Sequence, residues 1–489
     1  MPSQPAVVRR ATGPGLRDRS RTWTIVAAVG VLVLAAVVAF GVTHLGYLRS
    51  GHRHAFVTWT LIAWVVFVLA VLALRFVPRR QATWLVVAGA VVLGLAAMVG
   101  QPNTSSDSAR YAWDGIVQLH GISPYAHTPG AHALAGIRPD WLFGSPTAHV
   151  VPQFDGPTYC PGDRIQTGRD TLTNHRLCTP INRPDVPTIY PPMAELWFAL
   201  VRSVVPVTAT YWPMQLAGLV VSLGVTLGLL AVLRRSGRSP WWAALWAWCP
   251  LVLSEAVTNS HVDVIGAALA TAGAVLVAYG RPIWGGIALG AATSSKLIPA
   301  IAFPALLGRA RGWLAALVGV VVFAVLYVPY VVSTGPEVLG YLPGYLTEEG
   351  YEDGSRYALV SLVTSGTAAT VVVGVVVLVA AVLAWRLADP ARPWSAQVLM
   401  IGVTFLAVTP RYPWYALLMI PFVVLSGRWE WMALGLAITV RQMWPNTDAY
   451  RWWLLGAIIV IVVVTLVRTP RSEWRRWANL LVGRRILAP

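Results

Sequence analysis

The sequence predicts an all-α polytopic membrane protein, and three observations carry that prediction. Of its 489 residues, 56% are hydrophobic and 12% charged, against roughly 25% charged in a soluble domain. Apolar runs of about 20 residues, enough to cross ~30 Å of hydrocarbon as helix, recur from residue 23 to residue 468. Arginines gather between these runs rather than within them. The net charge of +17 therefore reports topology and not a nucleic-acid partner. Mean hydropathy is +0.61. Lys296 is the only lysine among 37 Lys and Arg residues.

Taken in order, residues 1–22 read as a flexible cytoplasmic tail carrying Arg9, Arg10, Arg17, Arg19 and Arg21. WTIVAAVGVLVLAAVVAFGV follows. It is too long for a signal-peptide core, shows no small-residue cleavage site, and reads as a first transmembrane helix with its N-terminus in the cytoplasm. Runs at 55–77 and 82–100 precede a polar segment, 101–190. TIYPPMAELWFALVRSVVP comes next, amphipathic and bounded by prolines. Further apolar runs fall near 211–233, 240–257, 262–280, 283–307, 312–333, 366–388, 395–409, 412–427, 429–444 and 451–468.

Arginine placement then fixes the expected topology. Arg79/Arg80, Arg234/Arg235/Arg238, Arg309/Arg311 and Arg386/Arg392 all face the cytoplasm only under two conditions. Residues 190–206 must lie along the outer interface instead of crossing. Residues 283–307, broken by Lys296 and Pro299, must form two short helices or a re-entrant pair. The expectation is one transmembrane domain, 23–468, with about 12–14 crossings, a large first outer loop at 101–190 and a second at 334–356. Residues 469–489 are expected to be a basic cytoplasmic tail near anionic lipid. The expected location is the plasma membrane, with both termini inside and the outer loops extracytoplasmic.

The first outer loop holds seven aspartates, at 107, 114, 140, 155, 163, 170 and 185. It is rich in turn formers and reads as a folded lid. Cys160 and Cys178 both lie in it. An oxidising compartment would bond them, and two free thiols is the alternative. No metal-ligand spacing is present, so neither metal nor cofactor is expected.

SSDSARYAWDGIVQLHG, at the start of this loop, reads as a helix capped by Ser105 or Ser106. Asp107, Tyr111, Asp114 and Gln118 then share a face, and Arg110 stands one turn from both aspartates. Two readings stay open: a solvated helix whose acids pair with Arg110, or a carboxylate held at the membrane surface as a general base. Asp107 is the first acid after an apolar helix, at the height of a lipid headgroup. Asp114 is the second choice.

Further motifs are NSHVDV, with Asn259, His261 and Asp263 at an outer helix end; KLIP, with Lys296 inside an apolar run; and TPRYPWY, with Arg411 and Tyr412 at an outer turn. Asn259 and His261 suit sugar hydroxyls, with Asp263 placed to orient His261; helix capping is the plainer alternative. An ionisable residue within the membrane is a functional candidate; Lys296 has Glu255, Asp263, the cytoplasm or a phosphate as partners. Arg411 breaks the positive-inside trend, and a phosphate would explain it. Glu195 and Arg441 are weaker candidates.

SSDSARYAWDGIVQLHGISPYAHTP, with TIYPP, NSHVDV, KLIP and TPRYPWY, resembles the GT-C superfamily of membrane glycosyltransferases. More narrowly, it is similar to actinobacterial polyprenyl-phosphate-mannose-dependent mannosyltransferases of family 87 and of lipoglycan α-mannosyltransferase type. The likeness runs from about residue 82. Two helices precede the motif helix, where many superfamily members have one. The resemblance implies a GT-C-like bundle with an interfacial helix, and Asp107 matches the family's base. It implies a lipid-linked sugar donor and a glycan or glycolipid acceptor among membrane lipids. Substrate contacts would fall to Arg110, Tyr111, Tyr190, Asn259, His261, Asp263, Lys296, Arg411 and Tyr412. Mannose is the expected sugar, with arabinofuranose as the alternative. A transporter or lipid flippase, or a membrane scaffold, are the readings from other classes; the absence of paired halves argues against transport.

Overall fold

The computed structural model describes residues 14–48, 51–144, 160, 164–351 and 353–481. Asp155, Asp163 and the outer ends of both expected tails, 1–13 and 482–489, lie outside the described residues. The protein is 72% helical, and a single two-stranded hairpin was found among the described residues, in agreement with the all-α membrane class.

Three long helices open the chain: α1 (Pro14–His44), α2 (Arg53–Leu74) and α3 (Arg79–Ala97). Helix α1 starts nine residues earlier than the apolar run, so Arg17, Arg19 and Arg21 belong to it and not to a tail. Proline at a helix start loses no hydrogen bond, because the first N–H groups have no partner there.

The first large loop, 101–190, forms a folded lid in its described residues. It begins with α4 (Asp107–Leu119), continues through a 3-10 turn at His132–Ile137, and ends in the hairpin of β1 (Ile165–Arg169) and β2 (Arg176–Thr179). Cys160 and Cys178 are disulfide-bonded. Arg138 pairs with Asp170 at 2.9 Å. Trp113, Ile116, Leu142, Phe143 and Ile181 form a small core between α4 and the lid.

Helix α5 (Pro192–Ser203) has 12 residues, about 18 Å of length, too short to cross a bilayer. Its Ala194, Phe198 and Val201 are buried, while Leu196 and Leu200 remain exposed, the pattern expected of an interfacial helix. It lies directly on α4: a Cβ on Gly115 would stand 2.6 Å from the carbonyl oxygen of Phe198. Helix α6 (Trp212–Arg235) follows and is long enough to cross.

The run at 240–257 is not one helix. It divides into a 3-10 turn (Pro240–Ala243), α7 (Ala244–Ala247), α8 (Pro250–Val252) and a π-helical turn (Leu253–Thr258). Pro240 and Pro250 start new pieces because proline cannot continue the i→i−4 ladder. Helix α9 (Asp263–Ala278) leaves at 115° to residues 250–258. Helix α10 (Pro282–Ser295) stops at Lys296, whose backbone is extended. Two 3-10 turns, Ile298–Ala302 and Pro304–Leu306, complete that segment. The interruption falls at Lys296 and Pro299 as expected, but the second piece is 3-10 and not a second α-helix.

Helix α11 (Ala310–Thr334) leads to the second outer loop, a 3-10 turn (Gly335–Leu339) and α12 (Leu342–Glu348). The two large loops touch at Gly340, whose φ of +55° and contact with the Thr188 carbonyl both exclude a side chain. Next come α13 (Gly366–Leu387), α14 (Trp394–Val408), a 3-10 turn (Pro413–Leu418), α15 (Ile420–Ser426), α16 (Met432–Met443), α17 (Thr447–Arg468) and α18 (Arg471–Leu481). The expected C-terminal tail thus contains an amphipathic helix: Trp474 and Trp477 meet edge to face, and Arg428 reaches the ring of Trp477.

Among the described residues, seven helices are long and apolar enough to cross a membrane, or eight if the bent pair counts as one span. The expectation of about 12–14 crossings counted apolar runs that the structure breaks into short pieces. Those runs are apolar because protein surrounds them: Met419, Phe422 and Val423 are fully buried. Hydropathy does not distinguish burial in protein from burial in lipid.

Candidate active site

The segment leading into α4 is clamped before the helix begins. Asn259 accepts from the backbone N–H of Asn103 and Thr104 at 3.2 and 3.1 Å and donates to the Thr104 hydroxyl at 2.7 Å. Gln442 donates to the Thr104 carbonyl at 3.1 Å. Asn259 is thereby fully occupied and lies behind the site, so the structure gives it a supporting position instead of a sugar contact. Asp107 occupies the first turn of α4, where a carboxylate meets the positive end of the helix dipole. Its Oδ1 accepts from Nδ2 of Asn182 at 2.8 Å, and its Oδ2 accepts from the Tyr190 hydroxyl at 3.4 Å.

Asp107 opens into a cavity of about 880 Å³. Arg110, Asn182, Arg183, Tyr190, Lys296, Glu348 and Tyr412 also line it. One flank is apolar, formed by Leu297, Ile298, Val338, Leu339, Leu342 and Leu346. Tyr345, Trp414 and Tyr415 add an aromatic wall.

Asp114 is elsewhere. It is buried, does not line the cavity, and faces Nε of Arg110 with both oxygens, at 2.9 and 3.0 Å. The second-choice base thus stands about two helical turns past Asp107 and pairs with Arg110. Burial pushes the Asp114 and Glu195 carboxyls above the usual carboxylate range, and in Glu195 the neighbouring Asp114 adds to it. Glu195 also accepts from Thr188 at 2.7 Å and Gln118 at 3.0 Å.

Tyr111 is buried behind Asp107, its ring stacked on Phe198 at 4.4 Å. His261 is also buried, with Nδ1 3.3 Å from the Tyr111 hydroxyl and 3.6 Å from Oδ2 of Asp107. Neither ring lines the cavity, so both back the carboxylate instead of facing a substrate. Asp263 does not orient His261; it pairs with Lys296 at 2.7 Å. That choice settles the open partner of Lys296, whose ammonium also stands 5.0 Å from the Tyr415 ring centre.

Arg411 does not line the cavity either. It lies 3.8 Å from Glu349, which is already paired with Arg356 at 2.5 Å and bonded by the Tyr412 hydroxyl at 2.9 Å. Arg411 therefore belongs to the network supporting Tyr412. Arg441 stands over the Tyr450 ring. Of the cations expected at the site, Lys296 and Arg110 line the cavity.

Sequence reasoning missed Asn182, Arg183 and Glu348. Arg183 binds Glu348 of the second loop at 2.6–2.8 Å through Nη2 and Nε. This bond holds the Glu348 carboxyl below its usual range. The signal was available, since Arg183 is another arginine in an outer loop. Among the described residues, no group of three or more His, Cys, Asp or Glu side chains is arranged to hold a metal.

The model of glycosyltransferase family 87 matches residues 188–410. This match supports a membrane glycosyltransferase of family 87. No curated protein and no solved structure matches it significantly. The matched part carries Tyr190, Asn259, His261, Asp263 and Lys296; Asp107 precedes it and Arg411 follows it. The match supports sugar transfer as the reaction class.

Proposed function

We propose that this glycosyltransferase moves a sugar, mannose in the first instance, from a polyprenyl-phosphate donor to a hydroxyl of a glycan or glycolipid. The reaction is a single inverting displacement with Asp107 as general base. The observation that carries this reading is the divided lining of the cavity. It combines one half-buried carboxylate, the cations Lys296 and Arg183, and an apolar flank from Leu297 to Leu346. A polyprenyl phosphosugar has the same three parts: a hydroxyl-bearing ring, an anion and a hydrocarbon tail.

In the reaction, the acceptor oxygen forms a bond to the anomeric carbon. The bond from that carbon to the phosphate oxygen breaks, and the lipid phosphate leaves with the electron pair. The acceptor proton passes to Asp107. An ordinary carboxylate, with pKa near ~4, takes such a proton late, in an oxocarbenium-like transition state, and contributes roughly 10²–10⁴-fold. The leaving phosphate gains charge and needs preorganised donors. Lys296, held by Asp263, and Arg183, held by Glu348, supply them. Tyr190 and Asn182 keep the carboxylate aimed into the cavity, and Tyr412, backed on one side by Trp414, offers a ring face to a sugar.

The disulfide of the lid and the arginine pattern support an extracytoplasmic site at the plasma membrane with both termini inside. No metal or nucleotide takes part in this reading; abolition of activity by chelator in purified enzyme would contradict it. The experiment is sugar transfer from synthetic polyprenyl-phospho-mannose to a mannoside by detergent-purified protein. Transfer supports the donor and the sugar. Transfer only from the arabinofuranosyl analogue corrects the sugar, and transfer from neither overturns the lipid-phosphate donor.

A further inference from the structure

His261 sits in the break between the π-helical turn and α9, fully buried. One face of its ring stacks on Trp414 with centres 3.8 Å apart, and Trp414 stacks in turn on Tyr412 at 4.5 Å. Its two nitrogens point at carboxyl groups on opposite sides. Nδ1 lies 3.6 Å from Oδ2 of Asp107, and Nε2 lies 3.4 Å from Oε2 of Glu255. Glu255 is also fully buried, and its other oxygen accepts from the Ser254 hydroxyl at 2.7 Å. Neither Nε2 nor Oε2 has a hydrogen-bond partner among the described residues.

A neutral imidazole has one N–H and one bare nitrogen. Asp107, acting as a base, is an acceptor only, so the tautomer with its hydrogen on Nδ1 is the one that supports it, with the Tyr111 hydroxyl, 3.3 Å from the same nitrogen, turning its own hydrogen elsewhere. Nε2 is then bare and looks at Oε2 of Glu255. Two buried lone pairs facing each other at that distance are costly. The cost disappears if Glu255 is the neutral acid and its O–H donates to Nε2.

We propose that His261 is a positioning residue that sustains the Asp107 carboxylate through Nδ1–H, and that Glu255, as a neutral acid, fixes the tautomer that does so. The proposal rests on the reading of Asp107 as the base. It assigns a role to two buried groups that do not reach the cavity, and it explains why a histidine stands behind the base with its ring pinned by Trp414.

The other titratable and charged groups around the pair are accounted for. From α4, Arg110 is taken by Asp114, and the Tyr111 hydroxyl shares Nδ1 at 3.3 Å. Tyr190, ahead of α5, donates to Oδ2 of Asp107. Lys296 and Asp263 neutralise each other. Arg183 is paired with Glu348, and Tyr412 with Glu349. Tyr190 reaches Oδ2 from the cavity wall, which leaves the buried side of the carboxylate to His261.

The test follows the Asp107 side chain itself. In full-length protein carrying ¹³C-labelled aspartate, its carboxyl signal is identified by its disappearance in Asp107→Asn and titrated in wild type, His261→Leu, His261→Asn and Glu255→Gln. Loss of Nδ1–H in His261→Leu is expected to raise the midpoint by about one pH unit, a tenfold change in proton affinity. Asparagine places an N–H where Nδ1 stood, so His261→Asn is expected to return the midpoint toward wild type. Glu255→Gln is expected to leave it unmoved, since no charge is lost. An unmoved midpoint in His261→Leu, or an equal rise in His261→Asn, would overturn the role of His261. A fall in Glu255→Gln would show that Glu255 carried a charge and would overturn its part. The titration needs no sugar donor, so its failure is separate from a failure of sugar transfer.

Discussion

Asn182 donates a 2.8 Å hydrogen bond from its amide to Oδ1 of Asp107, 75 residues earlier in the chain. The lid thus reaches back to hold the side chain on which the chemistry is proposed to turn. Its neighbour Arg183 holds the second outer loop through Glu348. One dipeptide of the lid therefore ties the base to the far side of the cavity.

Replacing Asn182 with Leu removes the donor that holds Oδ1 of Asp107. A carboxylate freed to other rotamers spends less time aimed into the cavity, and misplacing a catalytic group by about 1 Å costs up to ~10²-fold. The expected result is a fall in kcat of about tenfold with donor binding retained. Transfer kinetics and donor affinity measured on the variant check it.

Lys296 and Asp263 form a largely buried pair, 18% and 8% exposed at the side chain. Lys296→Met leaves a buried carboxylate without its partner, a loss of roughly 3–5 kcal/mol in comparable pairs. The thermal midpoint is expected to fall, and to recover in large part when Asp263→Asn is added. Transfer is not expected to recover with it, because the phosphate still lacks its cation. Recovery of both would make Lys296 purely structural.

Glu195 predicts a pH dependence of stability. Its folded-state pKa is raised by burial and by Asp114. A carboxyl raised on folding contributes stability that is present below its unfolded pKa and lost as pH rises through the folded value. Thermal stability is therefore expected to decline as pH rises above the ordinary carboxylate range. Glu195→Gln, which cannot ionise, is expected to flatten that decline. Unfolding followed by intrinsic fluorescence from pH 4 to 9 measures it.

Cys160 and Cys178 close a loop with a sequence separation of 18. Loop-closure entropy assigns such a bond about 3 kcal/mol. Reductant, or Cys178→Ser, is expected to speed protease cleavage within the lid while the transmembrane helices stay intact. Mass spectrometry of the fragments locates the cut.

The helical class, the folded lid, the short α5 and the break at Lys296 were legible because each rests on a local signal. A run of hydropathy, a density of turn formers, a 12-residue amphipathic stretch and a buried lysine before proline are all visible along one segment. The number of crossings was not legible. Residues 413–426 are as apolar as a membrane span because the protein interior is apolar as well. The site divides along the same line. Asp107 and Lys296 stand out by their own position along the chain, and both line the cavity. Asn182 and Arg183 were missed because their meaning lies in partners far along the chain, Asp107 and Glu348. Asn259, Asp263 and Arg411 were found, yet their partners, Thr104, Lys296 and Glu349, assign them support of the site instead of substrate contact.

The most direct measurement is transfer from polyprenyl-phospho-mannose by wild type and by Asp107→Asn, with equal folding verified by thermal unfolding and donor affinity measured separately. Asparagine preserves the shape and the contact with Asn182 and removes the base. The account predicts a loss of roughly 10²-fold or more in kcat with donor binding retained. Equal rates in the two proteins would contradict the assignment of Asp107 as the base.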